Sequence, residues 1–258
     1  RTAWRVNRDI LQVQREMWAV GLDDAGLAPF TPIPVPPRPE WLAPDTNTKT
    51  LEGAAKEEFK AWKRSAADAR TAEIERRSRL IGTRLLLEVA EKYEHEERIY
   101  FPMQLDWRGR MYAMPLFLQP QGRDAERALL HFAEGKPVGG AGGEWLAIHG
   151  ANEWGMDKVS FAERVNWVLD HEAEMREVYA DPMSNRWWAQ ADHPFQFLAF
   201  VLEWVPFLDS GCDPGFVSHL PVSMDGSCNG LQHFSAMLRE ERGGAVGGLV
   251  PGLAGQRI

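Results

Sequence analysis

The spacing of apolar residues predicts a helix-rich chain. Residues 1–20 have the amphipathic pattern of a short helix. From about Leu51 to Glu97 the composition changes to Ala, Glu, Lys, Arg and Leu without proline, which predicts one long helix or two in series. Inside this segment, apolar residues at three- to four-residue multiples predict a buried stripe, formed by Ile74, Ile81, Leu85 and Val89. Further helices are expected around 123–134, 143–154, 160–180, 194–205 and 229–241.

Turn-forming residues and short apolar runs divide the helical segments. Seven prolines between Pro29 and Pro44 predict an extended linker or surface loop over 28–48. Residues 99–118 predict strands broken by a turn at Gly109, and residues 216–225 predict another strand. Gly and Pro dominate Gly243 to Ile258, where no closing element is expected. The whole pattern predicts an α+β, helix-rich fold.

Composition narrows the class of protein. The 258 residues suffice for one large domain or two modest ones, and a hydrophobic content of 44% supports a packed core. Two cysteines are too few for a disulfide framework, so a reducing compartment is expected. The chain has neither a run of 18 apolar residues nor a signal-peptide pattern, which predicts an intracellular protein with no membrane partner. The net charge of −8 opposes a protein that coats nucleic acid generally, but it allows a local basic channel.

Basic residues recur along the predicted long helix. Lys63, Arg70, Arg77 and Arg84 are spaced by seven residues, which is about 20° short of two helical turns, so they stay near one face. They span roughly 31 Å of helix axis. Two interpretations remain open: a solvated helix face, or a rail of cations along a nucleic-acid backbone.

A second basic cluster lies at Asp106-Trp-Arg-Gly-Arg110. Arg108 and Arg110 fall on one face if this segment is extended, and guanidinium groups suit phosphate oxygens. Tyr112 is placed to stack or to pack beside them. The alternative is an Asp–Arg surface cluster around a buried tryptophan. Lys158 is either a phosphate ligand or a solvated lysine.

The segment around Asp225 carries the strongest candidate chemistry. The predicted strand ends at Asp225 and Gly226, and a helix opens shortly afterwards. A carboxylate at a strand end is a suitable Mg²⁺ ligand, and glycine allows a metal or triphosphate to approach the main chain. Asp-Gly alone is also typical of a simple turn. Gly226-Ser-Cys228-Asn-Gly230 additionally fits the nucleophile elbow of α/β-hydrolases, but His233 follows Cys228 by only five residues, which opposes that interpretation.

Taken together, these motifs resemble those of the phage-type single-subunit DNA-directed RNA polymerases. Asp106-Trp-Arg-Gly-Arg110 and the run from Asp225 to Arg239 are similar to two core motifs of that family. Smaller matches occur in the same order, at Thr2-Ala-Trp4, Ala61-Trp-Lys-Arg64, Pro120-Gln-Gly122, Gly135-Lys-Pro137, Ile148-His-Gly-Ala-Asn152, Asp157-Lys158-Val and Trp187-Trp188. The resemblance covers nearly the whole chain except the 20–50 stretch and the tail.

The resemblance implies a right-hand polymerase fold. Residues 1–97 would be a helical thumb region with its proline-rich loop at 28–48. Residues 98–258 would be the amino-terminal half of an antiparallel palm, with a helical insertion at about 137–212. Mg²⁺ would be held by Asp225 and the Gly226 carbonyl. Nucleic acid would contact Arg108, Arg110, Tyr112 and the rail of Lys63, Arg70, Arg77 and Arg84, while Lys158 would approach the incoming nucleotide.

The implied activity is RNA synthesis on a DNA template by two-metal nucleotidyl transfer. The implied partners are the DNA template, the RNA transcript, NTPs, and carboxyl-terminal palm and fingers segments beyond residue 258. Because a second metal-binding carboxylate is expected in those segments, this chain alone is expected to be inactive. The cytoplasm of an infected bacterium is the expected location, ahead of a mitochondrion. A non-catalytic nucleic-acid-binding module and a cysteine hydrolase are the alternatives.

Overall fold

A computed structural model of the chain describes residues 2–43, 46–222 and 229–247. The chain begins with strand β1 (Trp4–Val6) and helix α1 (Arg8–Val20). The Asn7 side chain caps α1 by accepting the Ile10 N–H at 3.3 Å, and Gly21, with φ of 72°, ends the helix. One face of α1 is buried in the core through Ile10 and Met17.

The core is built around one apolar helix. After the short helix α3 (Asp124–Ala128), helices α4 (Gly142–Trp154), α5 (Phe161–Asp170) and α6 (Glu172–Ala180) precede α7 (Pro194–Asp209). Most residues of α7 are apolar and buried, as expected for a helix surrounded by protein. Helices α1, α3, α4 and α6 all contact it.

The amino terminus of α7 is capped from another element. Asp124, at the start of α3, accepts the N–H groups of Phe195 and Gln196 at 2.8 and 3.1 Å. Burial raises the pKa of the Asp124 carboxyl, although these hydrogen bonds oppose the rise. The cap satisfies backbone donors that the helix itself leaves unpaired.

Short antiparallel strands join the helices. Strand β4 (Leu130–Phe132) pairs with β1, strands β2 (Met103–Leu105) and β3 (Met111–Ala113) form a hairpin, and β5 (Lys136–Pro137) pairs with β6 (Val217–Ser218). Together with the helices, these pairs confirm the α+β, helix-rich class. In the described ranges no helix is both long and apolar enough to cross a membrane.

Helix α2 (Gly53–Lys92) is a single helix of 40 residues, so the sequence prediction of a long helix is confirmed. The predicted apolar stripe is wrong, because Ile74 and Ile81 are 69% and 61% exposed and Leu85 is exposed as well. The buried residues of α2 lie on another face and include Arg76 and Thr83.

Four other predicted elements differ from the structure. In the segment 123–134, where one helix was expected, the helix ends at Ala128 and strand β4 follows it. The segment 160–180 forms two helices, because α5 ends before His171 and α6 begins after it. The strand expected over 216–225 is limited to β6 in its described part. The tail contains a short helix, α9 (Glu241–Val246), after α8 (Asn229–Leu238), where no closing element was expected.

Candidate nucleic-acid interface

The β2–β3 hairpin presents two arginines around an aspartate. The backbone reverses at Gly109, whose φ of 76° favours glycine. The Asp106 carboxylate accepts the N–H groups of Arg108 and Arg110 at 2.8 and 2.9 Å, and its other oxygen accepts from the Arg108 guanidinium at 2.9 Å. Asp106 therefore organises the whole turn.

The charge of Asp106 is stabilised by the same contacts. Partial burial works against ionisation of the carboxyl, but the Arg110 and Arg108 N–H groups and the Arg108 side chain outweigh it. They hold the pKa of Asp106 below its usual value. The aspartate stays ionised at neutral pH and fixes the guanidinium of Arg108.

The side chains of the turn are open to solvent. Trp107 is 90% exposed, with the Arg108 guanidinium over its ring at 5.5 Å. The alternative interpretation, a surface cluster around a buried tryptophan, does not fit this exposure. Arg108 also donates to the Tyr112 hydroxyl at 3.3 Å. Three of the residues predicted to contact nucleic acid therefore lie on this one hairpin: Arg108, Arg110 and Tyr112. An exposed aromatic ring beside two guanidiniums is suited to stacking on bases and binding phosphates.

A groove runs from this hairpin towards the segment that carries Asp225. A cavity of about 840 Å³ is lined by Met103 and Met111 of the hairpin, and by Thr2, Trp4 and Pro120. The last three residues also line a second cavity of about 310 Å³, which reaches Leu220, Pro221 and Val222. Val222 precedes Asp225 by three residues in the sequence.

The chain leading into that segment is firmly anchored. Glu203 of α7 accepts the Ser218 hydroxyl at 2.5 Å and the His219 N–H at 2.9 Å. His219 Nδ1 lies 2.8 Å from the Phe132 carbonyl oxygen, and Phe132 N–H donates back to the His219 carbonyl at 2.9 Å. Burial raises the pKa of Glu203, with the bonds from Ser218 and His219 opposing it. Strand β4 and helix α7 thus both fix residues 218–220.

The predicted metal ligands, Asp225 and Gly226, lie outside the described residues, as does Cys228. Within the part of the chain that the structure describes, no group of three or more His, Cys, Asp or Glu side chains is arranged to hold a metal ion. Mg²⁺ therefore stays a prediction.

The four rail residues are all exposed on α2. Arg77 pairs with Glu73 at 2.6 Å and Arg84 with Glu88 at 2.8 Å. Neither Lys63 nor Arg70 has a carboxylate partner among the described residues. The carboxyl-terminal end of α2 approaches the base of the hairpin, since Lys92 and Tyr93 line a cavity of about 670 Å³ with Tyr100 and Pro102.

Lys158 lies apart from these two groups. It is in the loop before α5, is 86% exposed, and pairs with the neighbouring Asp157. It lines neither of the two cavities that form the groove.

Comparison with known proteins agrees with the motifs. The sequence model of the family described as DNA-dependent RNA polymerase matches residues 136–257. The chain is 41% identical over 253 residues to the DNA-directed RNA polymerase of Enterobacteria phage T3, and 39% identical over 258 residues to T7 RNA polymerase of Escherichia phage T7. Each alignment covers 97% of this chain. Over nearly its whole length the chain is similar to phage-type DNA-directed RNA polymerases.

The family also extends to organelles. DNA-directed RNA polymerase 2, chloroplastic/mitochondrial, of Arabidopsis thaliana is 37% identical over 254 residues. The chain spans about a quarter of the length of these relatives, 27% for the two phage enzymes and 24% for the plant one.

Three structural residues of the chain were not found from the sequence. Arg76 belongs to none of the predicted sites, and it is only 5% exposed. Asp124 and Glu203 act at a distance in the sequence, on residues 195–196 and 218–219. The spacing of Glu73 and Arg76, i and i+3 on a helix, is the one signal that indicates a pair in advance.

Proposed function

We propose that this chain is part of a DNA-directed RNA polymerase and supplies both nucleic-acid contacts and one carboxylate of the catalytic centre. The observation that carries the proposal is 41% identity to the T3 enzyme across 97% of the chain. The reaction joins an NTP to the RNA 3′ end: the 3′-hydroxyl oxygen bonds to the α-phosphorus and pyrophosphate leaves. The location proposed is the cytoplasm of an infected bacterium.

The hairpin is proposed to bind the template and the nascent hybrid. Arg108 is held by Asp106 and supported by Trp107, so its guanidinium is pre-oriented for a phosphate. Arg110 and Tyr112 extend the same surface. Sequence-independent contacts of this kind suit a polymerase, which must advance over every template.

The α2 rail is proposed to follow the hybrid backbone, with Lys63 and Arg70 as its principal phosphate ligands. Their charges are not neutralised by neighbouring carboxylates of the described residues, unlike those of Arg77 and Arg84. Lys158 remains a proposed contact for the incoming triphosphate.

Asp225 is the proposed catalytic carboxylate, with the Gly226 carbonyl beside it. Mg²⁺, when bound, would supply charge neutralisation at the transferring phosphate. The anchoring of residues 218–220 by Glu203 and Phe132 supports a fixed position for the chain that enters this segment. The chain is proposed to act together with further palm and fingers segments, and to be inactive without them.

Primer extension on an RNA–DNA scaffold with Mg²⁺ and NTPs tests the proposal. The chain alone is expected to give no product. Mixing it with a carboxyl-terminal palm-and-fingers segment of the T7 relative is expected to restore extension. Asp225→Ala is expected to reduce that extension by at least about a thousandfold, as for the loss of a reacting-centre group.

Two results would change the assignment. Extension by the chain alone would show that it contains a complete catalytic centre. Hybrid binding without extension in any mixture would favour a non-catalytic nucleic-acid-binding module.

A further inference from the structure

The proline-rich segment lies along the amino-terminal half of α2, with burial that repeats every three residues. We call residues 29–42 the strap. Ile33, Pro36 and Pro39 are half-buried and Leu42 is buried, whereas the residues between them are exposed. Three residues per turn is the period of polyproline II, so the strap turns one edge towards the protein.

Helix α2 presents a matching face. Its buried and half-buried positions recur in alternating steps of four and three residues, as in a coiled-coil seam. The seam consists of Ala55, Phe59, Trp62, Ala66, Ala69, Glu73, Arg76, Leu80, Thr83, Leu87 and Ala90. Small and charged residues dominate its middle, which is why a search for apolar periodicity selected the wrong face.

Hydrogen bonds fasten the strap to this seam at its amino-terminal end and at its middle. Arg76 donates to the Pro29 and Phe30 carbonyls at 2.9 and 3.1 Å, and Trp62 Nε1–H donates to the Pro36 carbonyl at 3.3 Å. The two spans agree: the six residue steps from Phe30 to Pro36 cover about 19 Å as polyproline II, and the fourteen steps of α2 from Trp62 to Arg76 cover about 21 Å.

A buried ion pair lies where Arg76 attaches α2 to the strap. Arg76 Nε and a terminal nitrogen contact both Glu73 oxygens at 2.7 and 2.8 Å, and the two side chains are only 6% and 13% exposed. Glu73 also accepts the Ile33 N–H at 2.9 Å. The Arg76 guanidinium, followed by the Ile33 N–H, holds the pKa of Glu73 well below its usual range.

The Glu73 carboxylate also contacts an exposed arginine of α2. Glu73 Oε1, which accepts from Arg76, also accepts from Nε of the rail residue Arg77 at 2.6 Å. Between residues 53 and 82, only Ala66 and Arg76 of α2 are buried, so this part of the helix has little other packing. Helices in water depend mainly on such tertiary contacts.

We propose that Glu73 and Arg76 are a positioning pair, which fastens the strap to α2 and thereby keeps the amino-terminal half of α2 straight and its rail in line with the nucleic acid. The alignment with nucleic acid rests on the proposed function. The pair itself contacts no phosphate; it acts through the strap and through Arg77.

Hydrogen exchange of the full chain, combined with binding of a labelled RNA–DNA hybrid, tests this. Arg76→Met keeps the aliphatic stem and removes the guanidinium. Arg70→Met is the matched control, because it removes one charge from an exposed rail position of the same helix. Trp62→Phe removes the hydrogen bond to Pro36 together with part of the indole ring, and it serves as a milder second variant.

Arg76→Met is expected to raise the exchange rates of amides 53–82 about tenfold. It is also expected to weaken hybrid binding about three- to tenfold, with an unchanged dependence of log K on log salt concentration. Arg70→Met is expected to leave exchange unchanged and to reduce the magnitude of the salt slope by up to about 0.9.

Exchange in Arg76→Met within about twofold of that in Arg70→Met would overturn the proposal. So would an unaltered hybrid affinity in a variant whose α2 exchanges faster. If Arg76→Met fails to fold, Trp62→Phe decides, with faster exchange over residues 53–66 expected and no change contradicting. If the unchanged chain binds no hybrid, the proposed function fails, and exchange alone still decides the role of the pair in the strap.

Discussion

At the scale of single residues, burial gives adjacent side chains opposite roles. Arg76 is enclosed by the strap and paired twice with Glu73, whereas Arg77 is exposed and shares only one oxygen of the same carboxylate. A buried arginine is tolerated here because each of its three side-chain nitrogens donates to an acceptor. Composition counts both as basic residues of α2, but one of them is a structural residue.

His149 provides a residue-scale prediction for the dependence of stability on pH. It is buried beside the cavity that Arg127 and Gln196 also line. Burial, together with the Arg127 charge, lowers the pKa of His149 to about 4. The folded chain therefore keeps His149 neutral, while the unfolded chain takes up a proton below about pH 6.5. Stability from this residue is complete above pH 6.5 and falls as the pH falls towards 4.

His149→Gln is expected to remove this contribution. Between pH 6.5 and 4, the unfolding free energy of the unchanged chain should fall more steeply than that of the variant, by at most about 1.4 kcal/mol per pH unit. Urea unfolding of both chains at pH 7, 6 and 5 measures the difference. Parallel pH profiles would show that His149 is protonated in the folded chain.

Some of these residue roles could be predicted from sequence and others could not. Sequence spacing predicted Arg108 and Arg110 on one face of an extended segment, whereas the structure places them in a turn around Asp106, where Arg108 also reaches Tyr112. The burial of Arg76 could not be predicted, because it depends on the strap, which lies more than 40 residues away in sequence. Local spacing reports neighbours within an element, but not the element that covers them.

At the scale of elements, the contact between α4 and α7 overrides intrinsic helix preference. Gly150 lies inside α4, where alanine normally stabilises a helix by roughly 0.5–1 kcal/mol. A Cβ at this position would lie 2.2 Å from a ring carbon of Phe200 in α7. The glycine is required because the two helices approach closely at that point.

Gly150→Ala is therefore expected to lower the unfolding free energy by about 1–3 kcal/mol, the usual cost of overpacking. Gly82→Ala, inside α2, is the matched control, because the nearest atom to its Cβ is an Arg123 nitrogen at 4.0 Å. That variant should gain about 0.5–1 kcal/mol. Denaturant unfolding measures both, and equal effects of the two substitutions would contradict the close approach.

The element predictions succeeded where the pattern was long and failed where pairing was distant. The long helix and α4 followed from composition and periodicity. Strand β4 was mistaken for the end of a helix, since its strand character depends on pairing with β1, over 120 residues earlier. The apolar stripe predicted for α2 is wrong because the seam that is buried instead, against the extended strap, contains alanine, glutamate and arginine.

At the scale of the whole molecule, an acidic chain carries a basic surface. The net charge is −8, yet residues 60–84 contain eight basic residues and three acidic ones. Charges interact over about 8–10 Å at physiological salt, so a phosphate at α2 experiences the rail and little of the remaining surface. The fold class and the family could be predicted because they depend on ordered motifs, whereas this separation of charge depends on packing.

This separation leads to a prediction that opposes local charge to net charge. Lys63→Gln with Arg70→Gln lowers the net charge from −8 to −10 and removes the two rail cations that have no carboxylate partner among the described residues. Hybrid binding is expected to weaken, with the magnitude of the salt slope falling by up to about 1.8, or 0.9 for each phosphate that the rail no longer binds.

Adding Glu144→Gln and Asp170→Asn, at exposed positions of α4 and α5, restores a net charge of −8. The fourfold variant should still bind as weakly as the double variant, because the added changes do not rebuild the rail. Anisotropy titrations of a labelled hybrid at several salt concentrations compare the three chains. Recovery of affinity in the fourfold variant would mean that net charge, and not the α2 surface, governs binding.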